Sequence, residues 1–433
     1  MRLMPRGRGR RWLVLLSAAL VLVVAGAAVA YKLTRRPGDV SNPDVEFDNP
    51  TPLPTPSPTP TPHGRKKPVD TFRWPIYGYT PDHKRTFQPP GGLNGPFHRV
   101  WYRPAGALLE FPPVIADGML VQLADNGRIV ALNKATGRVK WRRRLGYLSA
   151  STPAVAGDRV FASVLEQHKG TRRGRIVALR LKTGKVIWSH ALGSRTESSP
   201  LVDHGKVYVG TEGGQLLALN AVNGHGVWSY RAFGAVKGSP TLSNGKLYFG
   251  DYGGHVQAIR TGDGHRVWDA SESGNFLRGG TFYCTAAVAF GRVYIGSTDG
   301  REYSFSARTG RLAWAKQTGA YVYSSAAVQD TAGLGPTVYF GSYDGTFYAV
   351  DARSGGVRWT YRSGGKISGS PTIVGRTVYF SDLGKRRTYG LSTRTGHVVF
   401  RKPFGAFDPV ISDGTRLFVM GGTSVSAYVS RKR

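Results

Sequence analysis

Short runs in which apolar and polar residues alternate recur along the chain, as in LVD, KVYVG and QLLALN between positions 198 and 228, and each run is cut by glycine with Asp, Glu, Asn or His. Alternation of period two places one side of a strand against a core and the other towards solvent, while the interruptions supply turns and positive φ. Thr136-Gly137, Asn223-Gly224 and Thr395-Gly396 fit tight hairpin turns with glycine in the left-handed region. No amphipathic helix pattern competes, so the chain reads as all-β.

The strands come in repeats. Aligned on alanine, glycine and tryptophan, the chain contains Ala131/Gly137/Trp141, Ala178/Gly184/Trp188, Ala218/Gly224/Trp228, Ala258/Gly264/Trp268, Ser304/Gly310/Trp314, Ala349/Gly355/Trp359 and Gly390/Gly396/Phe400. The internal spacing is constant, whereas successive aromatic anchors lie 47, 40, 40, 46, 45 and 41 residues apart, as expected if insertions fall in loops. Each unit reads as four short strands, the signature of a β-propeller blade. After Phe400, FDPVISDG, RLFVMGG and SVSAYV supply three more strands, with Ala427 in the motif's first position and the chain stopping at Arg433, where the motif glycine would stand. Upstream, FHRVWYR carries Trp101 with no three strands ahead of it. Lending that strand to the last blade removes the open sheet edges of a linear array. The expected architecture is an eight-bladed β-propeller of four-stranded antiparallel blades over residues 71–433, with Trp101, Trp141, Trp188, Trp228, Trp268, Trp314 and Trp359 as structural docking residues.

Residues 12–31, WLVLLSAALVLVVAGAAVAY, carry no charge and are long enough, at about 1.5 Å per residue, to span about 30 Å of hydrocarbon. Arg2, Arg6, Arg8, Arg10 and Arg11 precede them, which predicts a cytoplasmic tail over 1–11, one transmembrane signal-anchor helix over 12–31, and a single-pass protein of the cell membrane with its propeller extracytoplasmic. A cleaved signal competes, because Ala28-Val29-Ala30 fits an A-x-A site and Arg10-Arg11 a twin-arginine signal. Residues 32–70 read as an extended Pro/Thr-rich linker: proline stands at every second position from Pro50 to Pro62. In polyproline II at about 3.1 Å per residue that run is a semi-rigid spacer of about 40 Å, expected to lift the propeller off the membrane.

The Ala/Gly/Trp spacing resembles the tryptophan-docking motif of the pyrroloquinoline quinone (PQQ) repeat propellers, which include quinoprotein dehydrogenases and an outer-membrane assembly lipoprotein of Gram-negative bacteria. WPIYGYTPDHKRTF, from Trp74, is similar to the segment with which quinoprotein propellers begin. The resemblance implies a fold and leaves the activity open. Cys284 is the only cysteine, so the chain has neither a lipobox cysteine after its hydrophobic segment nor the adjacent cysteine pair of the quinoprotein alcohol dehydrogenases. Its place near the start of an inner strand suits a structural thiol.

A PQQ dehydrogenase needs a divalent metal, carboxylate and amide ligands and a catalytic base. The resemblance places such groups where inner strands begin, three residues before the repeat's proline or alanine: Glu110, Ala150, Glu197, Lys237, Tyr283, Tyr323, Ser368 and Ala406. Glu110, Glu197, Lys237, Tyr283 and Tyr323 make a candidate polar pocket at the channel mouth but no calcium set, so no catalytic residue, metal ligand or cofactor is assigned. Asp299-Gly300 and Asp344-Gly345 read as turn formers. The ten histidines show no ligand spacing.

Charge adds one more signal. Lys plus Arg outnumber Asp plus Glu by 59 to 26, a net +33. Arg142, Arg143 and Arg144 follow a fourth strand, Arg172 and Arg173 lie in the insertion EQHKGTRRGR, and Lys385, Arg386 and Arg387 occupy the same place in a later blade. In a four-stranded blade these connections emerge at one end, so the clusters are expected in solvated loops rimming a basic face. Together these readings describe a membrane-tethered extracytoplasmic binding or scaffold propeller, not an enzyme, whose partner is an anionic envelope polymer or a protein. A PQQ- and calcium-dependent oxidoreductase is the alternative, and nucleic acid is not expected in that compartment.

Overall fold

Across the outer hairpin of every repeat, the first motif residue pairs with the aromatic one: Ala131 with Trp141, Ala178 with Trp188, Ala218 with Trp228, Ala258 with Trp268, Ser304 with Trp314, Ala349 with Trp359 and Gly390 with Phe400. The register shifts immediately after each pair, and such a bulge bends and twists the strand locally. The indole then reaches the next blade. Trp141 Nε1 donates to the Leu181 carbonyl at 2.8 Å, and the same bond recurs from Trp101 to Lys134 and from Trp314 to Ala352. Each ring lies over the motif glycine of that neighbour: a Cβ on Gly184, whose φ is +65°, would come within 2.5 Å of Trp141. The motif is therefore a docking device, in which tryptophan belongs to one blade and glycine to the next.

The computed structural model describes residues 38–50, 70–271, 280–405 and 407–431. Among them the chain forms eight antiparallel sheets, numbered here as blades 1 to 7 over residues 114–144, 154–191, 201–231, 241–271, 287–317, 327–362 and 372–402. Blade 8 combines Val410–Ser412, Arg416–Met420 and Ser424–Ser430 with Phe97–Pro104, in which Trp101 pairs with Ala427. The composite closure is as the repeat count requires. It also accounts for Phe400: the outer strands of blade 8 come from separate segments, so no Thr-Gly hairpin exists there for an indole to dock on. Core clusters join adjacent blades, as where Val121 and Ile129 of blade 1 meet Val160 and Val177 of blade 2, because one blade cannot bury both its faces alone.

Two segments outside the repeat are built onto the ring. Residues 74–88 cross one end of the central channel and bond in turn to the innermost strands. The Ile115 carbonyl accepts from Trp74 N, and the amides of Val155, Leu242, Val288, Val328 and Ile373 donate to the carbonyls of Pro75, Pro81, Asp82, Lys84 and Arg85. Thr86–Phe87 extends blade 7 as a fifth, parallel strand. This plug closes the lower end of the channel, the end of the Thr-Gly turns.

The second segment, residues 40–50, falls inside the expected linker yet is packed on blade 5. Val40–Ser41 pairs with the outer strand at Ala315 and Trp314, and Val45 is 3% exposed. Arg292 donates to the carbonyls of Val45 and Glu46, Asp44 meets Arg311 at 2.6 Å, Glu46 meets Arg308 at 3.4 Å, and Phe47 stacks on Phe290. The local reason is chemical: NPDVEFDN alternates acids with apolar residues and meets an arginine-bearing surface. The described residues on either side of the proline run are held at Asn49, which accepts from Arg353 at 2.8 Å, and at Asp70, where Lys134 lies 2.8 Å away. Residues 40–50 of the expected linker are therefore part of the packed structure, while 32–37 and the proline run over 51–69 lie outside the described residues. The expected transmembrane helix, residues 12–31, lies outside the described residues, and among the described residues no helix is long and apolar enough to cross a membrane.

Candidate functional site

The residue immediately before each repeat proline or alanine is polar from blade 2 onwards: Thr152, Ser199, Ser239, Thr285, Ser325, Ser370 and Asp408. These residues link the blades around the axis above the plug. Amides of Thr152, Ser239, Thr285 and Ser325 donate to the hydroxyls of Ser199, Thr285, Ser325 and Ser370 at 2.9 to 3.0 Å, and Ser370 N donates to Asp408. Tyr77 from the plug shares a hydrogen with Ser370 Oγ at 2.9 Å, and Arg85 pairs with Asp408 at 3.2 Å, both buried. Burial raises the Asp408 carboxyl in spite of that guanidinium. The ring forms the floor of a cavity of about 50 Å³ on the axis.

The five residues expected at the channel mouth, Glu110, Glu197, Lys237, Tyr283 and Tyr323, all line this cavity, as does Ser368. Ala150 does not line it, and Ala406 lies outside the described residues. Lys237 Nζ lies 2.6 Å from Glu197 and 3.0 Å from Glu212, and Tyr283 donates to Glu197 at 3.1 Å. Burial opposes the charge of Lys237, but its bonds to the two glutamates outweigh that and push the ammonium up to about 12. Burial, with Glu197 beside it, holds Tyr283 protonated far above its ordinary range. Glu110 has no such cation. Burial, reinforced by Asp125, Glu197 and Asp408, pushes its carboxyl up to about 7, and burial lifts Asp125 to about 6. Cys284 is buried, donates to the Val322 carbonyl at 3.2 Å and is pushed well up by burial, as a structural thiol should be.

Sequence reasoning missed Asp125, Glu212, Tyr252 and Tyr343, which stand around the same mouth. A signal was present: each lies two residues before the glycine that closes the turn between second and third strands, Gly127, Gly214, Gly254 and Gly345. Tyr252 and Tyr283, Tyr283 and Tyr323, and Tyr323 with both Tyr321 and Tyr343 have ring centroids 4.9 to 6.4 Å apart, a continuous aromatic lip. Its outer members are exposed, Tyr252 by 37% and Tyr321 by 51%, with Phe233 at 52% on the same end. Among the described residues no group of His, Cys, Asp and Glu side chains is arranged to hold a metal ion. Asp299 and Asp344 cap their own turns, accepting from Arg301 N and Thr346 N.

The basic clusters divide. Arg142, Arg143 and Arg144 lie within the outer strand Val139–Arg144, not in a loop, because that strand stays paired with Arg128–Asn133 to its last residue; they line a groove with Arg103 and Arg128. Arg387 likewise opens the strand Arg387–Ser392, while Arg172, Arg173, Lys385 and Arg386 are in exposed connections. The insertion carrying Arg172 and Arg173 shares a crevice with Arg144, whereas Lys385 to Arg387 belong to blade 7.

The family described as outer membrane protein assembly factor BamB matches residues 98–171, 172–333 and 324–429. Among solved structures, BamB from Moraxella catarrhalis is 20% identical with a TM-score of 0.62, covering 78% of this chain and 99% of its own. A europium-containing methanol dehydrogenase is 14% identical with a TM-score of 0.69, covering 83% and 98%. The quinohemoprotein alcohol dehydrogenase of Comamonas testosteroni is 14% identical with a TM-score of 0.67, covering 84% and 82%. At these identities the likeness is one of fold. No curated protein matches the chain.

Proposed function

The chain belongs to the PQQ-repeat β-propeller family described as outer membrane protein assembly factor BamB, and from that membership we propose that it is a membrane-tethered extracytoplasmic scaffold that binds a protein partner at the upper end of its propeller. The observation that carries this reading is the contrast at that end between a nearly filled axis and an exposed aromatic lip. Pockets that take drug-sized ligands are about 300–1,000 Å³, whereas the axial cavity is about 50 Å³. Exposed Tyr and Phe around a central depression are the composition of a protein interface rather than of a small-molecule site.

The second reading, a quinoprotein oxidoreductase, draws on the dehydrogenase neighbours and on Glu110, whose carboxyl at about 7 is poised as a general base would be. The residues present do not fit PQQ with calcium. Glu197 is committed to Lys237 and Tyr283, Glu212 to Lys237, and Asp408 to Arg85 and Ser370, and among the described residues the remaining acids, Glu110 and Asp125 included, form no group arranged to hold a metal ion. The high carboxyl of Glu110 follows from burial among other acids, and no proton-transfer step is needed to account for it.

The test is direct. The purified chain incubated with PQQ and calcium should give no dye-linked oxidation of alcohols or sugars and should retain no cofactor after desalting. Activity that disappears in Glu110→Gln or Glu197→Gln would replace the scaffold reading with the enzymatic one.

A further inference from the structure

Two seams of the ring are filled by an aromatic wedge, in which the residue two places after the docking tryptophan packs on a ring near the end of the next blade's second strand: Tyr230 on Phe249, with centroids 6.1 Å apart, and Tyr361 on Phe380, at 6.2 Å. At the closing seam the two positions are Arg103 and Gln122. Without the apolar wedge, a groove of about 390 Å³ opens between Phe97–Pro104 and the face of blade 1.

Its lining is cationic over an apolar floor. Arg103, Arg128, Arg142 and Arg144 are exposed, stand around Val130, and among the described residues no carboxylate pairs with any of them. No acid lines the groove. Gln122 is 4% exposed in its wall, and its Oε1 has no hydrogen-bond partner. A buried acceptor without a donor is costly and asks for an N–H or O–H from an occupant.

The molecule shows on blade 5 what such a surface holds. There the acidic segment 40–50 gives its carboxylates to Arg311 and Arg308, its carbonyls to Arg292, the amide of Asn42 to the Ala313 carbonyl, and Val45 to the core. The carboxylates Asp44, Glu46 and Asp48 stand at every second position, on one side of an extended chain. At the closing seam no segment among the described residues plays that part. Positions 1–37, 51–69, 406 and 432–433 contain neither Asp nor Glu and positions 272–279 only Glu272, so the chain outside the described residues offers no acidic run either.

We infer that the groove between blades 8 and 1 docks an extended acidic segment of a partner protein, with carboxylates at alternate positions on Arg103, Arg128, Arg142 and Arg144, an apolar side chain over Val130, and a peptide N–H on Gln122 Oε1. The inference rests on the scaffold reading and names the chemistry of the partner. A phosphate polymer meets the arginines but brings no N–H to Gln122 and no side chain to the floor.

The experiment uses the full chain in detergent micelles and a fluorescein-labelled ten-residue peptide alternating glutamate with valine, read by fluorescence anisotropy at low ionic strength. Charge-assisted contacts with four guanidinium groups should make the triple variant Arg103→Ser, Arg142→Ser, Arg144→Ser bind at least about tenfold more weakly. The equally charged control Arg172→Ser, Arg173→Ser, Arg386→Ser, on the same end but outside the groove, should change affinity less than about twofold. Gln122→Leu should weaken binding several-fold with no change of charge, which bulk attraction cannot mimic. Equal losses from the two triple variants, or no effect of Gln122→Leu, would overturn the groove as the site. Displacement of the peptide by polyphosphate at equal charge would replace the acidic segment with a polyanion. The PQQ assay above is unaffected by any of these outcomes, so failure of the groove and failure of the scaffold reading are separable.

Discussion

Trp101 lies opposite Ala427, so a strand that precedes every other blade strand completes the last blade, and its indole docks onto Lys134 and Gly137 of the first. One residue therefore closes the ring twice, by a strand ladder and by a seam. Deleting Phe97–Pro104 leaves the strand Ser424–Ser430 with an open edge, and the protein should aggregate or lose its cooperative thermal transition. An unchanged melting temperature would show that closure does not depend on this strand.

The docking glycines separate two physical costs. Gly157 and Gly184 both have positive φ, +56° and +65°, but a Cβ on Gly157 meets nothing within 4 Å, whereas on Gly184 it comes within 2.5 Å of the Trp141 ring. Gly157→Ala should cost only the left-handed backbone term, about 1–2 kcal/mol. Gly184→Ala adds overpacking of about 1–3 kcal/mol, so its denaturant midpoint should fall clearly further. Equal effects would mean that the indole yields freely.

Glu110 makes stability depend on pH. Its folded carboxyl stands at about 7 against an ordinary 4.5, so the fold binds the extra proton between those values. The favourable contribution is fully present below the unfolded value and is lost as pH rises through about 7, on the order of 3 kcal/mol by then. Asp125, raised to about 6, acts in the same direction. Glu110→Gln should raise the melting temperature at pH 8 and leave it nearly unchanged at pH 4.5. A gain confined to low pH would contradict the burial argument.

The segment 40–50 can be released without touching the ring. Val45→Ser with Phe47→Ala removes its buried side chain and its stack on Phe290, leaving the short strand pairing, the Arg292 bonds to its carbonyls and surface ion pairs, which contribute little. Hydrogen exchange at the amides of Asn42 and Asp48, bonded to Ala313 and Phe290, should accelerate at least about tenfold in the variant while blade amides stay protected. Unchanged exchange would place the anchoring energy in the strand pairing and the arginines instead of the apolar contacts.

Topology has its own check. With residues 12–31 as an uncleaved anchor, protease added to intact cells should remove the propeller and spare the N-terminal tail. A soluble mature protein beginning at Tyr31 would establish a cleaved signal instead. Because the chain is already docked at Val40, the connection to such an anchor is residues 32–39, not the proline run.

By itself the sequence determined the blade, the blade count and the closure, because strand alternation and the Ala/Gly/Trp spacing are local regularities that each repeat restates. Trp101 and Ala427 could be matched across the whole chain for the same reason, and the mouth residues Glu110, Glu197, Lys237, Tyr283 and Tyr323 could be found by their place in the repeat. Position in a repeat does not specify protonation or partnership. Glu197 meets Lys237 of the adjacent blade at 2.6 Å, whereas Glu110 is buried near Asp125, Glu197 and Asp408 with no cation paired to it, a difference set by side-chain placement around the axis. The docking of residues 40–50 was hidden because its acids and the arginines they meet are more than 200 residues apart and neither set repeats. For the same reason nothing in the local sequence singles out Arg308, Arg311 and Arg353, yet they hold that segment. The groove at the closing seam was invisible too, since Arg103 and Gln122 are unremarkable alone. Only the fold sets them where two other seams place interlocking aromatic rings, and an unfilled space between blades is a property of packing rather than of any stretch of sequence.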